Sequence, residues 1–117
     1  MIYLIDADVS VLRALELFIE SAGMEYRSFQ STTSFLTAVN PSLSDLIVLD
    51  LSMPGLIACE LLKKFRRDVP SIPILVVTVF DDDQFRECCR QNGVISIMRK
   101  PVDGEALIDL IKYSIRL

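Results

Sequence analysis

Leu46-Ile47-Val48-Leu49-Asp50-Leu51-Ser52-Met53-Pro54-Gly55 sets four consecutive apolar residues before an aspartate, and follows them with a loop broken by proline and glycine. A strand with one wet face would alternate apolar and polar residues. An unbroken apolar run points instead to a strand covered on both faces, the situation of a central strand in a parallel sheet. Ile74-Leu75-Val76-Val77 repeats the pattern and ends at Thr78. Outward from these two, Ile2–Ile5, Glu25–Phe29 and Val94–Met98 read as further strands, the second and fifth alternating more, as edge strands do. The segments between strands are long enough for crossover helices. Leu12, Leu15, Phe18, Ile19 and Ala22 recur at three- and four-residue steps and stop at Gly23. Ala58, Leu61, Leu62 and Phe65 repeat that spacing, as do Leu107, Ile108, Ile111 and Ile115, with a weaker version in Phe35, Leu36 and Val39. The expected fold is α/β, a doubly wound five-stranded parallel sheet with right-handed crossovers.

The chain has 117 residues and no Gly/Ser/Pro-rich stretch to divide it, so one domain over 1–117 is expected. Apolar runs are interrupted well before membrane-spanning length, and Met1-Ile2-Tyr3-Leu4-Ile5-Asp6 reads as a first strand and not as a signal peptide. A cytoplasmic location without membrane contact is the expectation. A net charge of -4 without a Lys/Arg run offers no footprint for nucleic acid. Cys59, Cys88 and Cys89 form no CxxC pair, and the chain has no histidine to help hold zinc, so they read as reduced core thiols without a redox role.

Parallel α/β sheets place their working residues at the carboxyl ends of the strands. Here those ends carry Asp6, Asp50, Thr78 and Lys100, two carboxylates with a hydroxyl and an ammonium from four strands. Any one alone is an ordinary cap or turn residue. Together, Leu46 to Gly55, Ile74 to Thr78 and the pair Lys100-Pro101 resemble the response-regulator receiver domains of bacterial two-component systems, and the resemblance covers essentially the whole chain. It implies a flavodoxin-like fold with strand order 2-1-3-4-5 and Mg²⁺-dependent phosphorylation of Asp50 by a histidine kinase or phosphotransfer protein. It also implies self-catalysed phosphorylation and dephosphorylation at most, not conventional enzyme turnover. By the same resemblance Lys100 and Thr78 contact the phosphoryl group, and Asp6, Asp50 and the Ser52 backbone carbonyl hold the metal. Partners, a second copy of the chain among them, would meet the face made by the fourth helix, fifth strand and fifth helix.

The sequence departs from the family pattern in three places. The first strand ordinarily ends in two acidic residues, and here they are Asp6 and Ala7, so a direct metal ligand is missing. Asp8 follows, where it opens the first helix as an N-cap or serves as a substitute ligand. Val79 stands where the family favours a small residue, and Ile97 where it favours an aromatic switch. Ala7 leaves two readings open: a phosphoacceptor with weakened Mg²⁺ binding, or a pseudo-receiver that binds partners regardless of phosphate. A flavin- or nucleotide-binding enzyme is disfavoured, because Asp6-Ala7-Asp8-Val9-Ser10 has no glycine and carries negative charge where a phosphate cradle would lie. Asp81-Asp82-Asp83 reads as the capped start of a helix and not as a second metal site.

Overall fold

A computed structural model describes residues 1–115; the last two residues of the expected domain lie outside the described residues. The elements alternate as β1 (Ile2–Ile5), α1 (Val9–Ser21), β2 (Tyr26–Phe29), α2 (Thr32–Ala38), β3 (Leu46–Asp50), α3 (Gly55–Asp68), β4 (Ile74–Thr78), α4 (Asp83–Gln91), β5 (Val94–Arg99) and α5 (Gly104–Ser114). The five strands are parallel in the order β2-β1-β3-β4-β5. This is the expected doubly wound, flavodoxin-like sheet, with the two alternating strands at its edges. β2 begins one residue later than expected, and β3, β4 and β5 each run one residue further, since pairing and not apolarity sets a strand's end.

Alternation of side chains along each strand divides the core into two layers. Ile5, Ile47, Leu49, Ile74 and Val76 point to the face covered by α2, α3 and α4, where Phe35, Leu62, Phe65 and Phe85 pack on them. Leu4, Leu46, Val48, Leu75 and Val77 point to the face covered by α1 and α5, against Leu12, Leu15, Ile19, Leu107 and Ile111. Each such side chain taken from water contributes about 2 kcal/mol. α1 ends because Gly23 takes φ 73°, which lets its N–H reach the Glu20 carbonyl at 3.0 Å and that of Met24 reach Ile19 at 3.2 Å. Gly104, at the start of α5, is required for closeness: a Cβ there would run into the ring of Phe18 on α1.

The cysteines correct the sequence expectation. Cys59 on α3 and Cys88 on α4 are joined by a disulfide, and only Cys89 is free. The packing of α3 against α4 brings their Cα atoms to 6.0 Å. No local spacing announces a pairing between residues 29 apart on two helices.

Candidate functional site

Parallel pairing aligns the strand ends, so β1, β3, β4 and β5 deliver their last polar residues to one place. Asp6 follows β1 and is 2% exposed, its N–H held by the Phe29 carbonyl of β2 at 3.0 Å. Asp50 ends β3 opposite Val77, and Thr78 ends β4 opposite Arg99. Lys100 follows β5 and is tied to β4 by its N–H on the Thr78 carbonyl at 3.0 Å; the Lys100–Pro101 peptide is cis.

The Lys100 ammonium lies 3.1 Å from Asp6 Oδ2 and 3.0 Å from Asp50 Oδ1. Burial alone would lower the ammonium's pKa, but its close contacts with the Asp50 and Asp6 carboxylates outweigh it, and the group stays protonated above its ordinary range. Asp6 moves the other way from a typical ion-paired carboxylate. Burial raises its pKa, with the charge of Asp50 adding to the effect, against the Asp8 N–H and Lys100, which favour the anion. Its Oδ1 accepts the Asp8 N–H at 2.9 Å, while Oδ2, although close to Lys100, has no aligned hydrogen bond among the described residues. Two carboxylates thus share one ammonium, leaving negative charge in excess in a largely buried pit.

Asp50 Oδ1 is heavily engaged. Besides Lys100 it accepts the Ser52 N–H at 3.1 Å and the Ser52 hydroxyl at 2.6 Å, which leaves Oδ2 as the carboxylate oxygen open to a reaction partner. The Ser52 hydroxyl in turn accepts the Val79 N–H at 3.2 Å, so it bridges the β3–α3 loop and the β4–α4 loop. Sequence reasoning placed Ser52 here for its carbonyl and missed its side chain. Its only signal was a hydroxyl two residues past Asp50. Thr78 is fully buried, its Oγ1 lying 3.1 Å from the Leu51 carbonyl and 2.9 Å from that of Phe80 while accepting the Phe80 N–H.

The remaining sequence-selected residues fall around this centre. The Asp8 carboxylate caps α1, accepting the N–H groups of Ser10 and Val11 at 2.9 and 3.3 Å. Ala7 is exposed and brings no oxygen, and no group of three or more acidic, histidine or cysteine side chains able to hold a metal occurs among the described residues. Asp82 caps α4 through the Phe85 N–H at 2.8 Å, and Asp81 pairs with Arg86 at 2.6 Å. Val79 is exposed beside the pit, and Ile97 is half-buried against the α3–α4 layer. Hard oxygen donors with surplus charge, among them a buried Asp6 oxygen that meets only the Lys100 ammonium, fit a divalent cation such as Mg²⁺, which needs only one or two carboxylates.

The fold and the strand-end carboxylate, lysine and hydroxyl set define a class: a doubly wound α/β domain with a charged cluster at the carboxyl ends of its central strands. The response regulator receiver domain family matches residues 2–112, and the chain belongs to it. It is 33% identical over 116 residues to the transcriptional regulatory protein FixJ of Bradyrhizobium diazoefficiens, covering 98% of this chain and 56% of that protein. With the DNA-binding transcriptional regulator NtrC of Klebsiella pneumoniae it shares 26% over 113 residues, 97% of this chain and 24% of the other. Full-length FixJ from B. japonicum superposes with a TM-score of 0.80 at 29% identity over 98% of this chain and 57% of that one. A CheY-like receiver domain protein from Methanospirillum hungatei JF-1 gives 0.82 at 22% identity, over 98% and 92%, a likeness of fold. The chain spans about half the length of FixJ and about a quarter of NtrC. The domain is thus of the two-component signalling type, whose members bind Mg²⁺ and work with histidine kinases or phosphotransfer proteins. No helix among the described residues is long and apolar enough to cross a membrane.

Proposed function

We propose that this receiver domain switches by accepting a phosphoryl group on Asp50. The carrying observation is the division of labour on that carboxylate, with Oδ1 held by Lys100 and Ser52 and Oδ2 left open. Oδ2 attacks phosphorus in line, the bond from phosphorus to the donor's histidine nitrogen breaks, and the electron pair leaves with that nitrogen. Lys100 neutralises a phosphoryl oxygen, and Thr78 turns from the Phe80 carbonyl to donate its hydroxyl to another. Asp6, Asp50 and the Ser52 carbonyl would hold Mg²⁺, with Asp8 kept as a helix cap. The metal's contribution when bound is to offset charge on the phosphoryl oxygens. With Ala7 in place of a second acidic residue, Mg²⁺ affinity is expected to be low.

An apolar groove of about 510 Å³ runs from Lys100 and Pro101 past Val79 and Val102 to Val11 and Phe18. It gives a histidine kinase or phosphotransfer protein a surface beside the nucleophile. The output face would be α4, β5 and α5, where a second copy or an output domain could dock. In FixJ and NtrC the matched region is only part of a longer transcriptional regulator. The decisive test is incubation with Mg²⁺ and acetyl phosphate, read by intact mass and peptide mapping. One phosphoryl group on Asp50 is expected. No label at saturating Mg²⁺, with partner binding unchanged, would favour the pseudo-receiver reading. Shifts induced by beryllofluoride and confined to the α1 side would count against the output face.

A further inference from the structure

The α3–α4 seam carries chemistry that phosphorylation does not use. α4 buries three side chains, Phe85, Cys88 and Cys89, so two of its three anchors are small cysteines, one free and one in the disulfide. Phe85 alone supplies a large apolar contact, and the helix is otherwise held to α3 through the Cys59–Cys88 bond. The two helices also touch at their starts, where a Cβ on Gly55 would stand 3.3 Å from the Asp82 carboxylate that caps α4. Each leads away from one arm of the site: α3 begins just past the Asp50–Ser52 loop, and α4 just past the Thr78–Phe80 loop. A covalent bond between them therefore joins the segment behind the nucleophile to the segment behind the switching hydroxyl.

We propose that Cys59–Cys88 is a second covalent modification site, a tether that fixes α4 to α3 when oxidised and releases α4 when a dithiol donor reduces it. Cys59 is half-buried and Cys88 buried, so Cys59 is the sulfur open to attack. A donor thiolate attacks Cys59 Sγ, the disulfide breaks, and Cys88 leaves as a thiolate that takes up a proton. The donor's second thiolate then attacks its own sulfur in the mixed disulfide and expels Cys59. The donor ends as a disulfide and the protein as two thiols, a transfer of two electrons. A disulfide-bearing exchange partner runs the same steps in reverse. Cys89, adjacent to Cys88, does not scramble the pairing, because it is 2% exposed and burial pushes its thiol up to about 11, leaving little thiolate to compete. The effect of the tether on signalling rests on the Asp50 reading; the tether itself does not.

The test accordingly needs no phosphodonor. The protein is equilibrated with glutathione disulfide or with excess dithiothreitol, then unfolded and alkylated for intact mass. One adduct is expected after oxidation and three after reduction, whereas three in both overturns the proposal. Native amide exchange over Asp83–Gln91 should be at least about tenfold faster in the reduced protein, with the β3 and β4 amides unchanged. Equal exchange of α4 in the two states, or acceleration spread evenly over the whole fold, would mean that the bond does not govern α4 and the proposal fails. Cys59→Ser should show the reduced exchange pattern under both conditions, and Cys89→Ala should retain the difference. A Cys59→Ser protein that exchanges like the oxidised wild type also rejects the tether.

Discussion

Two half-buried cations stand at opposite ends of the sheet and are satisfied in opposite ways. Arg66, near the end of α3, faces the amino ends of β4 and β5 and spends its guanidinium on backbone carbonyls. Those of Asn92 and Ile72 lie at 2.9 Å and those of Pro70 and Gly93 at 3.3 Å. Burial draws its pKa below the ordinary arginine value, yet the ion remains charged and its partners are fixed dipoles. Lys100, at the carboxyl ends, sits between two carboxylates, one of which keeps a buried oxygen without an aligned hydrogen bond. The first arrangement is complete and has nothing left to bind. The second is short of positive charge, as the proposed phosphoryl site with its cation requires. Buried polar groups that are fully satisfied hold a fold together, whereas an incompletely satisfied cluster at a strand end is a candidate working site.

The largest expected effect separates the two ends outright. Asp50→Asn should abolish labelling by acetyl phosphate while leaving the fold intact, since the amide retains the shape and loses the nucleophile. Labelling of that variant at the wild-type level would move the site to Asp6 or Asp8. Arg66→Ala should do the reverse: labelling persists, but stability falls by about 2–4 kcal/mol in urea titration, because several carbonyls lose a charged donor. Arg66→Lys should recover only part, since one ammonium cannot reproduce the guanidinium fork. If Arg66→Ala proved as stable as wild type, the carbonyl contacts would carry no weight and the contrast would collapse.

The sequence disclosed one end far better than the other. β3 and β4 announce themselves through Leu46–Leu49 and Ile74–Val77, runs that no exposed segment would carry, and Asp50 and Thr78 follow from strand polarity once those runs are placed. Asp6 and Lys100 follow likewise. Arg66 gave no signal, because its partners are main-chain carbonyls and main-chain carbonyls have no sequence signature. The Ser52 hydroxyl contact depends on how two loops approach each other, and Cys59–Cys88 on how two helices pack. Local periodicity encodes elements and their directions. It does not encode which side chains meet across a seam.

Ala7 sharpens the comparison by the next largest amount. A carboxylate at this position adds a donor to a pit that is already short of positive charge. Ala7→Asp should therefore strengthen Mg²⁺ binding at least about tenfold, or roughly 1.4 kcal/mol, in a calorimetric titration. Without metal the same variant should melt lower than wild type, since another carboxylate joins Asp6 and Asp50 around one ammonium. Equal affinity in the two proteins would show that water already fills the missing ligand position.

The smallest effect concerns pH and distinguishes the two cations by titration. The folded Lys100 pKa lies above its ordinary value of 10.5, so its ion pairs contribute fully below that value. The unfolded chain releases this proton first as the solution becomes alkaline. Between the ordinary and the raised value the folded state therefore binds more protons than the unfolded state, and stability falls as pH rises. Lys100→Met lacks the ammonium at every pH and leaves Asp6 facing Asp50 uncompensated. The stability difference between wild type and Lys100→Met should accordingly be constant at neutral pH and shrink above about pH 10.5 as the wild type loses its cation. Other groups titrate in this range, but they do so in both proteins and cancel in the difference. Arg66 should show no such limb, because a guanidinium does not deprotonate where the fold survives. The wild-type minus Arg66→Ala difference should stay flat over the same range. Paired urea titrations from neutral pH upward decide it: a Lys100 difference that does not narrow would mean the ammonium adds nothing to the folded pit through charge, and that the Asp6 and Asp50 carboxylates are held apart by burial and hydrogen bonding alone.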